Sequence, residues 1–539
     1  MIAVIRRPLT AIIILASALH ALGMSRAILP AQDGLKFIKV AKAFRAQPWP
    51  DVVRASDQHP LYPALIVLVE PAARAVAGRG PSAWQFAAQL VSAMASILLL
   101  VPLHSIASRL FHRRIADLAT LGFVLLPFPM EVGHDTLSDS AALLGFAFAL
   151  KFGLDALRDE RWRSALACGI AAGLGFLSRP EVLIAPFAVL LVGVSRNLRL
   201  SWPESRERLL KLSALAIACL AIVGAYSLVK GEVSERLAIR ESVRLGPRYA
   251  TKSLKSAGHW LPPGLDRPIW DFSPKEEPAA VAKRPFKEVV GDLVHQWSDG
   301  LGTILALFGV WGLVRDRSIR RFIAEDADSP PSDPANLGRW LMLAYLVIFS
   351  AVLIRHEGKM GYLSSRHVLT LVIITLPWSA AGIYVCGVRL VRTLGLSARD
   401  ARRLGLLALF LAVSTGVTLQ ARASHPSRWG HRAAGLWLAE HAKTGEAVLD
   451  TRGWAAFVSK LPSYDYWHVR QALTDQRLTY VVAGRDELAA ASPRGKTLRA
   501  WLGYAATPLI AFPEREGGRD QSVWIYRYAR PESWEGLQP

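Results

Sequence analysis

The run AVIRRPLTAIIILASALHALGM, Ala3 to Met24, passes almost directly into RAILPAQDGLKFIKVAKAF, Arg26 to Phe44, and the reading of this junction decides how the rest of the chain is read. After Arg6-Arg7 come 17 residues, 8–24, without an acid or a basic Lys or Arg. That is long enough to cross a hydrocarbon layer of about 30 Å as a helix. The following stretch opens on Asp33-Gly34 and turns amphipathic. Phe37, Val40, Ala41 and Phe44 share one helical face, while Lys36, Lys39 and Lys42 recur every third residue on another. Such a helix suits the headgroup plane. Two readings of Asp33 follow. As a favoured N-cap residue it starts the helix. As a carboxylate at the membrane–water boundary it stands where a general base could take a proton from a hydroxyl. Arg6-Arg7 and the small residues of ASALHALG also resemble a signal peptide, but with many apolar runs behind it the segment is expected to stay as a helix.

Outward from this junction, the 539 residues are 52% hydrophobic, with a mean hydropathy of +0.26. The apolar residues fall in blocks rather than spreading evenly. About eleven spans are expected, at 8–24, 84–107, 115–130, 138–157, 163–178, 181–195, 209–229, 299–315, 339–355, 367–390 and 403–420. Helices are the expected form because every backbone polar group must be satisfied within the bilayer. The fifth and sixth spans are short and joined by SRPE, which also fits a re-entrant hairpin.

The net charge of +21 comes from 64 basic and 43 acidic residues. Its location argues against nucleic acid as a partner. Basic clusters at Arg6-Arg7, SRLFHRR, LRDERWR, SRNLRLSWPESRERLLK, RDRSIRRF and VRLVRTLGLSARDARR fall at every second span boundary. This is the positive-inside pattern. It predicts a multi-pass protein of the plasma (inner) membrane, with a cytoplasmic N-terminus and an extracytoplasmic C-terminal domain. Cys168, Cys219 and Cys386 lie inside the expected spans, where they read as packing residues.

The expected organisation is a transmembrane catalytic domain over 1–420 with outer loops 25–83, 131–138, 230–298 and 355–366, then a soluble α/β domain over 421–539. In the latter, SRWGHRAAGLWLAEHA has helical spacing, and EAVLD, LTYVVAG, PLIAF and SVWIYRY read as short strands. EDADSPPSDPANLG is linker-like. There is no P-loop, and ATP and nucleotide sugars are absent on the outer side. A transferase working there needs a donor carried by lipid.

The outer loops hold the chemistry-bearing residues. In SDQHPLYPALIVL, His59 and Tyr62 bracket Pro60 and either start a helix or line a pocket. PFPMEVGHDTLSDS brings Glu131, His134, Asp135 and Asp139 within nine residues. They read as a wet loop with a helix cap, or as a second carboxylate facing Asp33. Glu131, His134 and Asp135 are also oxygen and nitrogen donors of the kind a divalent metal takes, though their spacing is a weak signal. In LGFLSRPEVLIAPF, Arg179 and Glu181 flank a proline; they pair with each other or meet a phosphate. RHEGKMGYLSSRHVLTL carries Lys359, Arg366 and His367. Arg366 sits at the mouth of a span, either snorkelling or gripping phosphate through a bidentate guanidinium.

Taken in order, QDGLKFIKVAKAF, HPLYP, TLSDSAALLGFAFAL, GLGFLSRPEVLIAP and SSRHVLTL resemble the polytopic GT-C glycosyltransferases, specifically the glycosyltransferase-39-like group of protein O-mannosyltransferases and aminoarabinose transferases. The resemblance implies a polytopic all-α bundle of the GT-C type with a small C-terminal extracytoplasmic α/β domain. It implies inverting transfer of a monosaccharide from a polyprenyl (or dolichyl) phosphate to a hydroxyl of a glycan, lipid or protein acceptor at the outer face. By position, Asp33 matches the first-loop catalytic acid, Asp135 or Asp139 a second-loop acid, and Arg366 the donor-phosphate region. Position 34 is glycine where many members of the group carry glutamate. A lipid or oligosaccharide transporter is the alternative. Transporters usually hold ionisable groups near the midplane and often show inverted repeats, whereas here such groups gather at span ends and no repeat is found.

Overall fold

The computed structural model describes residues 7–159, 161–197, 202–231, 284–326, 336–421, 425–465, 472, 475–490 and 493–530. Most of the expected outer loop 230–298 and part of the linker-like segment lie outside these residues.

The chain opens with helices α1 (Arg7–Arg26), α2 (Gln32–Ala46), α3 (Trp49–Ala55), α4 (Leu61–Ala77) and α5 (Pro81–Leu110). Then follow α6 (Arg113–Leu125), α7 (Pro127–His134), α8 (Asp139–Asp159), α9 (Trp162–Phe176), α10 (Ile184–Asn197) and α11 (Trp202–Lys230). The second half of the bundle is α12 (Phe286–Leu301), α13 (Thr303–Val314), α14 (Asp316–Asp326), α15 (Leu337–Met360), α16 (Leu369–Thr393) and α17 (Ala398–Gln420). Among the described residues, seven helices are long and apolar enough to cross a membrane, and two bent pairs bring the number to nine. The chain is a multi-pass membrane protein.

The difference from eleven spans has a physical cause in each case. Pro127 ends α6, and the pair α6–α7 bends by 65°. Gly302, with φ +77°, breaks α12 from α13 at 111°. Helices α9 and α10, of 15 and 14 residues, are each shorter than about 23 Å and cannot cross alone. They meet at Ser178-Arg179-Pro180, as the short SRPE junction suggested. Helix α9 nonetheless packs tightly against α8, where Gly145 comes so close to Gly175 that a side chain on Gly145 would strike the Gly175 backbone. Small residues of this kind let membrane helices approach.

Past residue 420 the elements change to α18 (Trp429–His441), β1 (Ala447–Asp450), α19 (Trp454–Ser459), β2 (Ser463–Tyr464), β3 (Leu478–Gly484), α20 (Arg485–Ala489), α21 (Pro493–Ala505), β4 (Ala506–Phe512) and β5 (Val523–Tyr528). The strands form one sheet in the order β2-β1-β3-β5-β4. β1 runs parallel to β2 and β3, while β5 runs antiparallel to β3 and β4. The central β1 and β3 are buried.

Candidate active site

Helix α2 begins one residue earlier than expected. Gln32 is its first residue, so Asp33 lies in the first turn and does not cap it; the N-cap is Ala31 and has no side-chain bond. Phe37, Ile38 and Ala41 are buried, and Lys36, Lys39 and Lys42 are exposed as the three-residue spacing predicts. Released from capping, the Asp33 carboxylate accepts from Arg366 Nη1 at 3.1 Å.

Arg366 is aimed by its own turn. Ser364 Oγ accepts from the Arg366 amide, and His367 Nδ1 accepts from the Ser364 amide, closing a reciprocal cap on the short helix Ser365–Val368. From there the guanidinium bridges two carboxylates, with Nε 3.6 Å from Asp139 Oδ1. Asp139 opens α8 and is buried. It also meets Arg179 Nη2 at 3.2 Å, and Arg179 Nη1 donates to Glu181 at 2.9 Å. Pro180 holds Arg179 in extended backbone between α9 and a 3-10 turn, which turns its side chain back toward α8. Asp139, Arg179, Glu181, Arg366 and His367 line one open cleft of about 310 Å³, whose apolar wall includes Leu143 and Phe349. Residues from four separate sequence regions therefore meet at one end of the bundle.

The electrostatics of Asp33 reflect this arrangement. Burial pushes its carboxyl upward, but the charge and hydrogen bond of Arg366, with Lys36 and Arg179 behind it, outweigh that and hold it below the ordinary carboxylate range.

Other expected site residues do different work. Asp135 is no free carboxylate. It accepts from the Ala31 and Thr136 amides at 3.0 and 2.7 Å and lies 3.3 Å from Arg428 of the C-terminal region. Glu131 pairs with His425 at 2.8 Å. His134 is buried edge-on to His20 of α1, 6.1 Å between rings. The three side chains are thus each engaged elsewhere and do not converge as a metal shell. Among the described residues, no three His, Cys, Asp or Glu side chains are grouped to hold a metal ion. Asp33 and Asp139 share the Arg366 guanidinium instead.

His59 is buried against Phe176 and stacked on Tyr226, so it packs behind the site. Tyr62 is fully buried; its hydroxyl donates to Ala88 and shares a bond with Ser92, which in turn donates to the Leu137 carbonyl. It anchors the 131–138 loop without lining the cleft. Lys359 is exposed at the end of α15, off the cleft lining.

Sequence reasoning missed the residues that join the C-terminal region to the first loop. Arg428 Nη1 donates to the Leu29 carbonyl at 2.8 Å. Trp454 Nε1 donates to the Pro30 carbonyl at 2.8 Å, with the Arg428 guanidinium 5.5 Å above its ring. Leu29 and Pro30, just ahead of α2, are thus held from outside the bundle. No local signal marks Arg428, whose partners are 293 and 399 residues away.

Gly34 is held just as closely. A side chain there would overlap Thr136 Oγ1, the acceptor of the Ala31 amide. Gly34→Ala is expected to destabilise the protein by about 1–3 kcal/mol through overpacking. A melting temperature in detergent equal to that of the parent would contradict this. The same crowding accounts for glycine at position 34.

The bundle and its sheet-bearing C-terminal region have a fold of the GT-C class. Within that class, the family model for dolichyl-phosphate-mannose-protein mannosyltransferase matches residues 81–226. The apo oligosaccharyltransferase of Archaeoglobus fulgidus aligns over 98% of this chain and 75% of its own, at 13% identity and a TM-score of 0.54. The same protein in complex with an inhibitory peptide and a dolichol-phosphate aligns at a TM-score of 0.52 and 13% identity, over 98% of this chain and 75% of that one. ArnT from Cupriavidus metallidurans, in its apo state, aligns over 98% of both chains at 13% identity and a TM-score of 0.55. No curated protein matches the chain in sequence.

Proposed function

We propose that the chain transfers a monosaccharide, with inversion, from a polyprenyl (or dolichyl) phosphate to a hydroxyl of a glycan, lipid or protein acceptor. The observation that carries this reading is the Asp33–Arg366 pair at 3.1 Å beside the Arg179–Asp139 pair. A base and phosphate-gripping cations stand together at the edge of an apolar-walled cleft. The dolichol-phosphate complex of the archaeal oligosaccharyltransferase supports a lipid-phosphate donor on this fold.

In this mechanism Asp33 takes the acceptor proton as the hydroxyl oxygen attacks the anomeric carbon. The sugar–phosphate C–O bond breaks on the opposite face, and the lipid phosphate leaves with its negative charge met by Arg366 and, behind it, Arg179. Arg366 links the two events. While it pairs with Asp33 it makes that carboxylate a poor base. A donor phosphate drawing the guanidinium to itself raises the proton affinity of Asp33, so the base is activated once the donor is in place. His367 lines the same cleft and shapes the phosphate's surroundings.

The expected pH dependence follows. Asp33 must be ionised to act, so activity falls as pH drops through its pKa. For kcat/KM, which reports the free enzyme, the acid limb lies below the ordinary carboxylate range because of Arg366. For kcat, with the donor bound, the limb moves upward. Arg366→Gln shifts the kcat/KM limb upward as well. Coincident limbs for kcat and kcat/KM in the parent would count against the shared-guanidinium mechanism.

The basic clusters at alternate span ends support placing Asp33 and the 421–539 region on the extracytoplasmic side, with 1–420 as the membrane catalytic domain. The direct test is incubation of the purified full chain with membrane lipid extracts carrying polyprenyl-phosphate sugars. Release of free polyprenyl phosphate, followed by mass spectrometry, is the expected result. An intact donor pool alongside active transport of the same lipid would favour the transporter alternative.

A further inference from the structure

A second cavity, open to solvent, lies at the opposite end of the bundle. Along α8, Asp139 lines the catalytic cleft and Leu157 lines this cavity. Eighteen residues of helix separate them by roughly 27 Å, close to the thickness of the hydrocarbon layer. The cavity therefore sits at the other membrane boundary, between α8, α9, α10 and α11.

Among the described residues, its lining carries four cations, Arg161, Arg196, Arg208 and Lys211, and no carboxylate. Its floor is apolar, with Leu157 and Leu212. Arg196 Nη1 donates to the Leu157 carbonyl at 2.9 Å, which fixes that guanidinium at the rim. Lys211 meets Glu207 at 2.6 Å, but the Glu207 side chain is 70% exposed, so that pair is readily exchanged for another anion. The nearest acid along α8, Asp155, is engaged by Arg109 and Lys151. Asp159 is paired with Arg158 at 3.6 Å. Cations that merely snorkel point separately into water, whereas these four converge on one hollow. Beside it, Leu191, Val194, Leu209 and Leu210 are 48, 43, 37 and 62% exposed, offering apolar surface to a lipid tail.

We propose that this cavity binds the phosphate headgroup of an anionic phospholipid in the leaflet opposite the catalytic cleft. Arginines grip the phosphate oxygens, the leucines receive the glycerol end, and the exposed apolar helix faces carry the acyl chains. Basic pockets between membrane helices recognise lipid headgroups in this way. The inference is independent of the reaction at the other face.

The test is native mass spectrometry of the full chain in detergent, with phosphatidylglycerol and phosphatidylcholine as probes. The parent is expected to retain the anionic lipid about tenfold over the zwitterionic one, and Arg161→Gln/Arg208→Gln to lose about that factor for phosphatidylglycerol alone. Phosphatidylglycerol raises the melting temperature of the parent but not of this variant. Should the double variant unfold, Arg161→Gln, at an exposed position, replaces it and is expected to lose about threefold. Three results would overturn the proposal: equal retention of both lipids, unchanged phosphatidylglycerol retention in a folded variant, or displacement of the lipid by millimolar inorganic phosphate. The last would mark a site for free phosphate.

Discussion

Asp33→Asn is expected to lower turnover by about 10²–10⁴-fold, the usual contribution of a positioned general base, in a protein that still folds. The substitution keeps the shape of the side chain and an acceptor oxygen for Arg366, but removes the charge that takes the proton. Asp33 is only half-buried, and its pair with Arg366 lies beside open cleft, so its charge adds little to stability. Fold and chemistry should therefore separate cleanly. Donor affinity gives a second readout. Losing the carboxylate frees the Arg366 guanidinium, so the donor KM falls or stays level while kcat collapses. Release of polyprenyl phosphate by the Asn variant at the parental rate would remove Asp33 from the chemistry. A loss confined to KM would make it a binding residue.

The second large effect is on assembly. Arg428→Ala is expected to destabilise the protein by about 3–5 kcal/mol, because it leaves the Asp135 carboxylate buried with its charge unmet. Both side chains are at most a tenth exposed. The same change frees the Leu29 carbonyl and the Trp454 ring face, loosening the segment that leads into α2. Hydrogen exchange should rise first at residues 27–35 and across α18 and α19. The companion Arg428→Ala/Asp135→Asn should recover part of the loss, since no charge is then stranded. A double variant no more stable than Arg428→Ala alone would show that Asp135 and Arg428 do not act as a pair.

These two outcomes also mark the boundary of what the sequence made legible. The spans were visible because a bilayer imposes length and apolarity on each segment independently. The alternating basic clusters were visible for the same reason. Asp33 and Arg366 stood out because each lies at a junction between apolar and polar chain. The structure brings them to 3.1 Å across 333 residues, a meeting that no local pattern encodes. The bonding of Asp135 is hidden in the same way. In the sequence it is one of several acids in a short loop, and its pair with Arg428 spans 293 residues. For Tyr62 and His59 the sequence left two readings open, because a polar atom near an expected pocket looks the same in sequence whether it faces substrate or a backbone carbonyl. The bends at Leu126 and Gly302 were hidden inside continuous apolar runs, since hydropathy records length and not direction.

The central claim is that Asp33 and Arg366 share one cleft in which a lipid-linked phosphate is gripped while an acceptor hydroxyl is deprotonated. A cryo-electron microscopy structure of the full chain with polyprenyl phosphate bound tests this most directly. The account predicts phosphate density within hydrogen-bonding distance of the Arg366 guanidinium, with the lipid tail leaving past Leu143 and Phe349. It also predicts that the Asp33–Arg366 distance lengthens beyond its present 3.1 Å. Phosphate seated away from Arg366, or on the other side of the membrane from Asp33, would contradict it.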